Sequence, residues 1–188
     1  MIYFTSDLHF YHNKPFVYEP RGFQNIYEMN EVLFRNWNEV ITESDVVYML
    51  GDFMLMNNAE GLRLLHQLRG EIHMIIGNHD TDERVRLYRE SHNVAEVVYA
   101  TILRYNGYRF YLSHYPTFCC HVDDRPPKKD LVNLYGHTHQ PQPFFIYENG
   151  EENYRMYNVG VDAHGYKPVS IDQIIEDMNT AYKKRKHP

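Results

Sequence analysis

Hydrophobic positions along the chain follow two different periods, and the change of period divides it. Ile2–Thr5 is a short apolar, β-prone run that stops at Ser6-Asp7. Ile26, Met29, Leu33, Trp37, Val40 and Ile41 then recur at helical spacing, which predicts an amphipathic helix over 26–41. Asn25 suits its N-cap, and Glu28 stands where a capping box needs an acid. Trp37 lies on the apolar stripe and reads as core. The run 45–50 is apolar on both faces, as a strand covered from both sides must be, and it ends at Gly51-Asp52. Leu62, Leu65 and Leu68 predict a helix over about 59–68, stopped by Gly70. A third strand, 72–76, runs into Gly77-Asn78-His79-Asp80, and Thr81 or Asp82 caps a short helix over 83–89. Strand and helix thus alternate through the first half, the pattern of parallel βαβ units.

After His92 the pattern turns extended. Segments 94–99 and 101–105 read as strands, and Asn106-Gly107 is a strong hairpin signal into a returning strand over 108–112. That strand ends at Ser113-His114. Leu131–Tyr135 is another, ending at Gly136-His137-Thr138-His139. Segments 144–147 and 154–159 flank Asn149-Gly150 as a second hairpin, which closes at Asp162. A last helix over 171–182 carries Ile171, Ile174, Ile175 and Met178 on its buried face, with Ser170 as cap. No repeat, linker or low-complexity stretch splits the chain, so residues 1–188 read as one domain, with 183–188 a solvated basic tail that suits a helix C-terminus.

Composition narrows the picture. The net charge of −6 argues against a general nucleic-acid binder, which should show a basic face. No apolar run approaches the ~20 residues of a membrane helix, and no signal peptide is expected. Cys119 and Cys120 are adjacent, where disulfide geometry strains the intervening peptide, so a reducing, cytoplasmic compartment is expected. Twelve histidines are the oddity. A scattered histidine is ordinarily a surface or packing residue, and His66, His73, His92, His121, His164 and His187 are read so, with His73 as core.

Other histidines cluster at strand ends with carboxylates and an amide. Asp7 and His9, Asp52, Asn78 and His79, His114, and His137 and His139 make a mixed nitrogen and oxygen donor set. Such a set suits manganese first, and iron, zinc, nickel or cobalt, better than calcium or magnesium. Asp7 and His9, like His137 and His139, are two apart, which on extended backbone would place both side chains on one face.

The ordered motifs Asp7-Leu8-His9, Gly51-Asp52, Gly77-Asn78-His79-Asp80, Ser113-His114 and Gly136-His137-Thr138-His139 resemble those of the calcineurin-like metallophosphoesterases, in particular the small single-domain bacterial-type members. The resemblance runs from Asp7 to Asp162. It implies an α/β fold, a four-layer α/β/β/α sandwich of two mixed sheets flanked by helices. It also implies two divalent transition-metal ions, one held by Asp7, His9, Asp52 and His139 and the other by Asp52, Asn78, His114 and His137, with Asp52 bridging. A hydroxide between the ions would attack phosphorus, His79 would assist the leaving group, and Asp80 would orient His79. The substrate would be a phosphodiester or phosphomonoester, with a nucleotide-like ester among the candidates because of the aromatic loops over 11–22 and 115–130. His12 is a candidate substrate contact. Arg21 and Arg125 are set aside as ordinary surface arginines. The alternative is a catalytically weak scaffold of the same fold that binds partner proteins. His79 weighs against it, because such scaffolds tend to lose that residue. Oligomeric state is not legible.

Overall fold

The computed structural model describes residues 1–121, 123 and 125–186. The alternating first half forms a sheet in which β1 (Ile2–Thr5), β2 (Val46–Met49), β3 (Glu71–Ile75) and β4 (Val94–Val98) lie parallel in that order. A short loop helix, α1 (Pro15–Tyr18), was not legible in the Pro-punctuated segment; Pro15 fills its first position, where no backbone N–H is needed. The crossovers are α2 (Ile26–Val40), α3 (Asn58–Leu65) and α4 (Asp82–Arg89). Their apolar stripes bury Leu33, Trp37, Leu65 and Tyr88 against Val47, Met49, Ile72 and Met74 on the outer face of the sheet. Asn25 caps α2 by accepting the N–H groups of Tyr27 and Glu28, both at 3.0 Å. Glu28 reaches back to the N–H of Gln24 at 2.7 Å, so the capping box closes one residue upstream.

The second sheet has the order β5-β6-β7-β9-β8. The chain passes into it through Tyr99 alone, between β4 and β5 (Ala100–Tyr105). Asn106 and Gly107 both take positive φ, as a tight hairpin demands, and return the chain as β6 (Tyr108–Ser113). β6, β7 (Leu131–Tyr135) and β9 (Glu152–Asn158) are mutually parallel, and β8 (Phe144–Ile146) is an antiparallel edge. Val169–Ser170 adds β10 antiparallel to β1. The sheets face each other across a core that includes Phe4, Leu50 and Ile75 from the first, and Phe110, Leu112, Val132, Leu134 and Tyr157 from the second. α5 (Ile171–Lys186) adds Ile171, Ile174 and Met178 to this core and packs along β9, β10 and β1, so it straddles both sheets.

Three expectations shift. α3 ends at Leu65 rather than 68, where the chain turns, although Leu68 stays buried. α5 continues through the basic run, because lysine and arginine are good helix formers and complement a C-terminal dipole. The reading of His187 falls outside the described residues. His73 is not core: its ring lies between Glu71, at 3.1 Å, and Glu96, at 3.5 Å, on a polar end of the β3 face. No helix among the described residues is long and apolar enough to cross a membrane.

Candidate metal centre

Both sheets direct the C-terminal ends of their parallel strands to the same edge, the place where open α/β sheets put ligands. A parallel bridge between Ser6 and Gly160 joins the sheets there. Asp7 and His9 follow β1, Asp52 follows β2, Asn78 follows β3, His114 follows β6, and His137 and His139 follow β7. These residues do not converge by lying on extended backbone, as their spacing suggested. Asp7 (φ 59°), His9 (φ 51°), Asp52 (φ 59°), His137 (φ 70°) and His139 (φ 51°) all occupy the left-handed region. That conformation costs about 1–2 kcal/mol per residue bearing a Cβ, so the surroundings must impose it. Backbone hydrogen bonds between the loops do so, from Asp7 N–H to Gly51 O (3.1 Å), His9 N–H to Asp52 O (3.0 Å) and Gly136 N–H to His114 O (2.9 Å). Gly51 itself must be glycine: its φ is +92°, and a Cβ there would lie 2.5 Å from Nδ1 of His114 and 2.7 Å from Cα of Gly77.

Two groups of donor atoms result. In one, Nε2 of His9 lies 3.1 Å from Nε2 of His139, 3.9 Å from Oδ1 of Asp7 and 3.8 Å from Oδ2 of Asp52. In the other, Oδ1 of Asn78 lies 2.8 Å from Nε2 of His114 and 2.8 Å from Nδ1 of His137, while Nε2 of His114 lies 3.5 Å from Oδ2 of Asp52. Spacings near 3–4 Å are the edges of a coordination polyhedron with ~2.1 Å bonds. Oδ2 of Asp52 faces both groups. Asp7 also falls within reach of Asp52 and His114.

The chemistry of these donors fits cations. Asp7 and Asp52 are both 1% exposed, and two buried carboxylates need opposite charge. One oxygen of each is held by the backbone: Asp7 Oδ2 accepts from His137 N–H, and Asp52 Oδ1 from His79 N–H, both at 2.8 Å. The other oxygen of Asp7, Oδ1, is buried without a hydrogen-bond partner. Burial raises the Asp7 pKa and lowers those of His9 and His137, so the pocket without an ion disfavours each charged form. Ring nitrogens are prepared as acceptors. His114 donates Nδ1–H to Leu50 O (2.8 Å) and His139 donates Nδ1–H to Asp162 (2.9 Å), which leaves each Nε2 with its lone pair toward the cluster. Burial is the largest influence on the His139 pKa and depresses it, but the Asp162 hydrogen bond together with the charges of Asp7 and Asp162 turns the net shift upward.

Asp162 and Arg21 are the participants the sequence did not reveal. Arg21 is buried. Its Nε and Nη2 each lie 2.8 Å from an oxygen of Asp162, and Nη2 also donates to Asp7 O at 2.8 Å. It is therefore a brace for the His139 loop, not a surface arginine. Only its place in a Pro-Arg-Gly turn near the first motif was visible, and nothing local paired it with a residue so distant. Arg125 is exposed and pairs with Asp123.

His79 borders the first group, its ring centroid 5.4 Å from that of His9. Asp80 does not reach the His79 ring. Its Oδ2 accepts the N–H groups of Gly77 (2.8 Å) and Asp52 (3.0 Å), and its Oδ1 accepts Tyr88 O–H (2.9 Å). The expected role of orienting His79 is thus replaced by a staple between the β2 and β3 loops. His12 is buried, not superficial, with its ring 5.9 Å from His79 and its Nδ1 unpartnered. Both rings open onto a pocket of about 420 Å³.

A family model described as a calcineurin-like phosphoesterase superfamily domain matches residues 1–164. An uncharacterized protein of Methanocaldococcus jannaschii is 36% identical over 182 residues, covering 93% of this chain and 89% of the relative. The gene 66 protein of Mycobacterium phage D29 is 29% identical over 201 residues, covering 95% of this chain and 96% of the relative. Among solved structures, a protein of unknown function from Aquifex aeolicus superposes with a TM-score of 0.68 at 27% identity, over 94% of this chain and 98% of that one.

Proposed function

The chain belongs to the calcineurin-like phosphoesterase superfamily, and from that premise we propose that it hydrolyses a phosphate ester at two divalent metal ions. Asp7, His9, Asp52 and His139 would hold one ion, and Asp52, Asn78, His114 and His137 would hold the other. The observation that carries this reading is Oδ2 of Asp52, which faces His9 of one group at 3.8 Å and His114 of the other at 3.5 Å. Manganese leads the candidate ions because the donors are imidazole, carboxylate and amide oxygen without thiolate. Divalent ions so held would polarise phosphoryl oxygens and make water nucleophilic at neutral pH.

The residues around them do the rest. His79, beside the first group and open to the pocket, gives a proton to the departing oxygen, help worth roughly 10²–10⁴-fold. Its backbone N–H fixes Asp52, so acid and bridging carboxylate are set by one turn. Asp162 and Arg21 hold the His139 ring, and Asp80 holds the loops of Asp52 and Asn78 in register. The free thiols of Cys119 and Cys120 support a reducing, cytoplasmic setting. Burial raises both thiol pKa values, Cys119 to about 11, which leaves them poor nucleophiles.

Elemental analysis with phosphoesterase assays tests the proposal. The wild type is expected to retain transition metal and to hydrolyse bis(p-nitrophenyl) phosphate with Mn²⁺. Asp52→Asn is expected to abolish turnover and to weaken both ions. Less than about one ion per chain, with no hydrolysis on adding Mn²⁺, overturns it.

A further inference from the structure

An exposed aromatic ring stands at each end of the row of imidazoles. At the first group, the Phe16 ring lies edge-on to His12 with centroids 5.5 Å apart, and His12 neighbours His9 at 5.5 Å. Phe16 is 70% exposed, and α1, which carries it, buries none of its residues. At the second group, the Tyr115 ring lies edge-on to His137 at 4.7 Å and to His114 at 5.1 Å, and it is 49% exposed. Neither ring contributes to the hydrophobic core. Single exposed aromatics are ordinary on a surface; what sets these two apart is that each lies edge-on to an imidazole of the donor cluster, which leaves its ring face open to a flat group bound at the centre.

The pocket at the Phe16 end defines one occupant. It lies on the His79 side, where a leaving group would sit. Its walls include Phe16, Val17, Pro20, Pro141 and Tyr166, apolar or flat surfaces. The cationic side chain in its lining is Arg21, which already pairs with Asp162 through two 2.8 Å contacts. Among the described lining residues no lysine or second arginine offers a cation to an arm carrying further phosphates, and the proton of His79 is committed to the leaving oxygen. A flat, uncharged arm fits them, and about 420 Å³ leaves room for a ring and a sugar-sized linker.

Resting on the phosphoesterase reading, we infer that the substrate is a phosphodiester with a planar aromatic group on each arm, of the dinucleotide type. Phe16 stacks the leaving arm in the pocket beside His79, and Tyr115 stacks the arm that stays on phosphorus. A monoester would occupy one platform only. Hydrolysis adds water across the P–O bond on the Phe16 side: the water oxygen joins phosphorus, the arm departs as an alcohol or phenol with a proton, and a monoester remains.

Three reporters share a p-nitrophenyl leaving group and differ in the other arm: bis(p-nitrophenyl) phosphate, methyl p-nitrophenyl phosphate and p-nitrophenyl phosphate. Stacking of one ring is worth roughly tenfold or more in binding. The Mn²⁺-loaded wild type is expected to prefer the bis-aryl ester over the methyl ester by about tenfold, chiefly in KM. Tyr115→Ala should collapse that preference about tenfold. Phe16→Ala should raise KM about tenfold for both diesters, since both leave through the same pocket. Circular dichroism confirms that the variants fold, which their exposed positions favour. Equal KM values for bis-aryl and methyl esters, or a Phe16→Ala enzyme with wild-type KM, overturns the inference while the phosphoesterase reading stands. A wild type that hydrolyses none of the three with Mn²⁺, Fe²⁺ or Zn²⁺ sinks both together.

Discussion

Residue by residue, the turn Gly77-Asn78-His79-Asp80 divides its work. Asn78 faces the second donor group, His79 faces the pocket, and Asp80 turns away from both to join the β2 and β3 loops. His79→Ala is expected to keep its metal by elemental analysis while kcat falls by roughly 10²–10⁴-fold. Metal loss in that variant would move His79 into the ligand set. Asp80→Ala is expected to do the opposite, because it removes the oxygen that the N–H groups of Gly77 and Asp52 share and so breaks the staple. Titration of Mn²⁺ should show weaker binding, with Tyr88→Phe milder since it removes one of three hydrogen bonds. Unchanged metal affinity with an altered pH–rate profile would return Asp80 to the service of His79.

Elements of the first sheet are tied together where β1, β2 and β3 begin as well as at their ends. Asp45, just before β2, accepts from the amino group of Met1 at 2.6 Å, from Thr42 N–H at 2.8 Å and from Thr42 O–H at 2.7 Å. The amino-group contact first, then those of Thr42, holds its carboxyl down at about 2. A carboxyl whose folded pKa is depressed favours folding above its unfolded value, and that contribution disappears as pH falls through the folded value. Urea unfolding of the wild type and Asp45→Ala should therefore differ fully at pH 5 and above, and the gap should close between about pH 4 and pH 2. A gap independent of pH would mean that the variant acts through packing alone. Element boundaries move for equally local reasons. The basic residues that close α5 extend it, and Pro15 starts a turn of helix inside what looked like loop.

At the scale of the whole molecule, the two sheets meet at a centre where, among the described residues, the buried carboxylates of Asp7 and Asp52 pair with no lysine or arginine side chain. Arg21 is matched by Asp162, so bound metal is expected to be a large part of what holds the two halves together at this edge. An ion at 100 times its dissociation constant adds about 2.7 kcal/mol per independent site. Chelation should lower Tm by several degrees, and Mn²⁺ should restore it while Ca²⁺, which prefers an all-oxygen shell, should not. A melting temperature indifferent to chelator and metal would contradict a metal centre shared by the sheets.

The alternation of apolar periods determined the parallel βαβ build of the first half, while the order of its strands came from the packed structure. Residue type at strand ends determined the donor set, because few side chains offer imidazole, amide and carboxylate lone pairs together. Local spacing could not show how those donors converge. The left-handed turns at Asp7, His9, Asp52, His137 and His139 are imposed by hydrogen bonds between loops far apart in sequence. The same holds for the Arg21–Asp162 brace, for the partners of Asp80, and for the rings of Phe16 and Tyr115 standing at opposite ends of one centre. Each depends on which loops the two sheets bring together, and that is decided only when the sheets pack face to face.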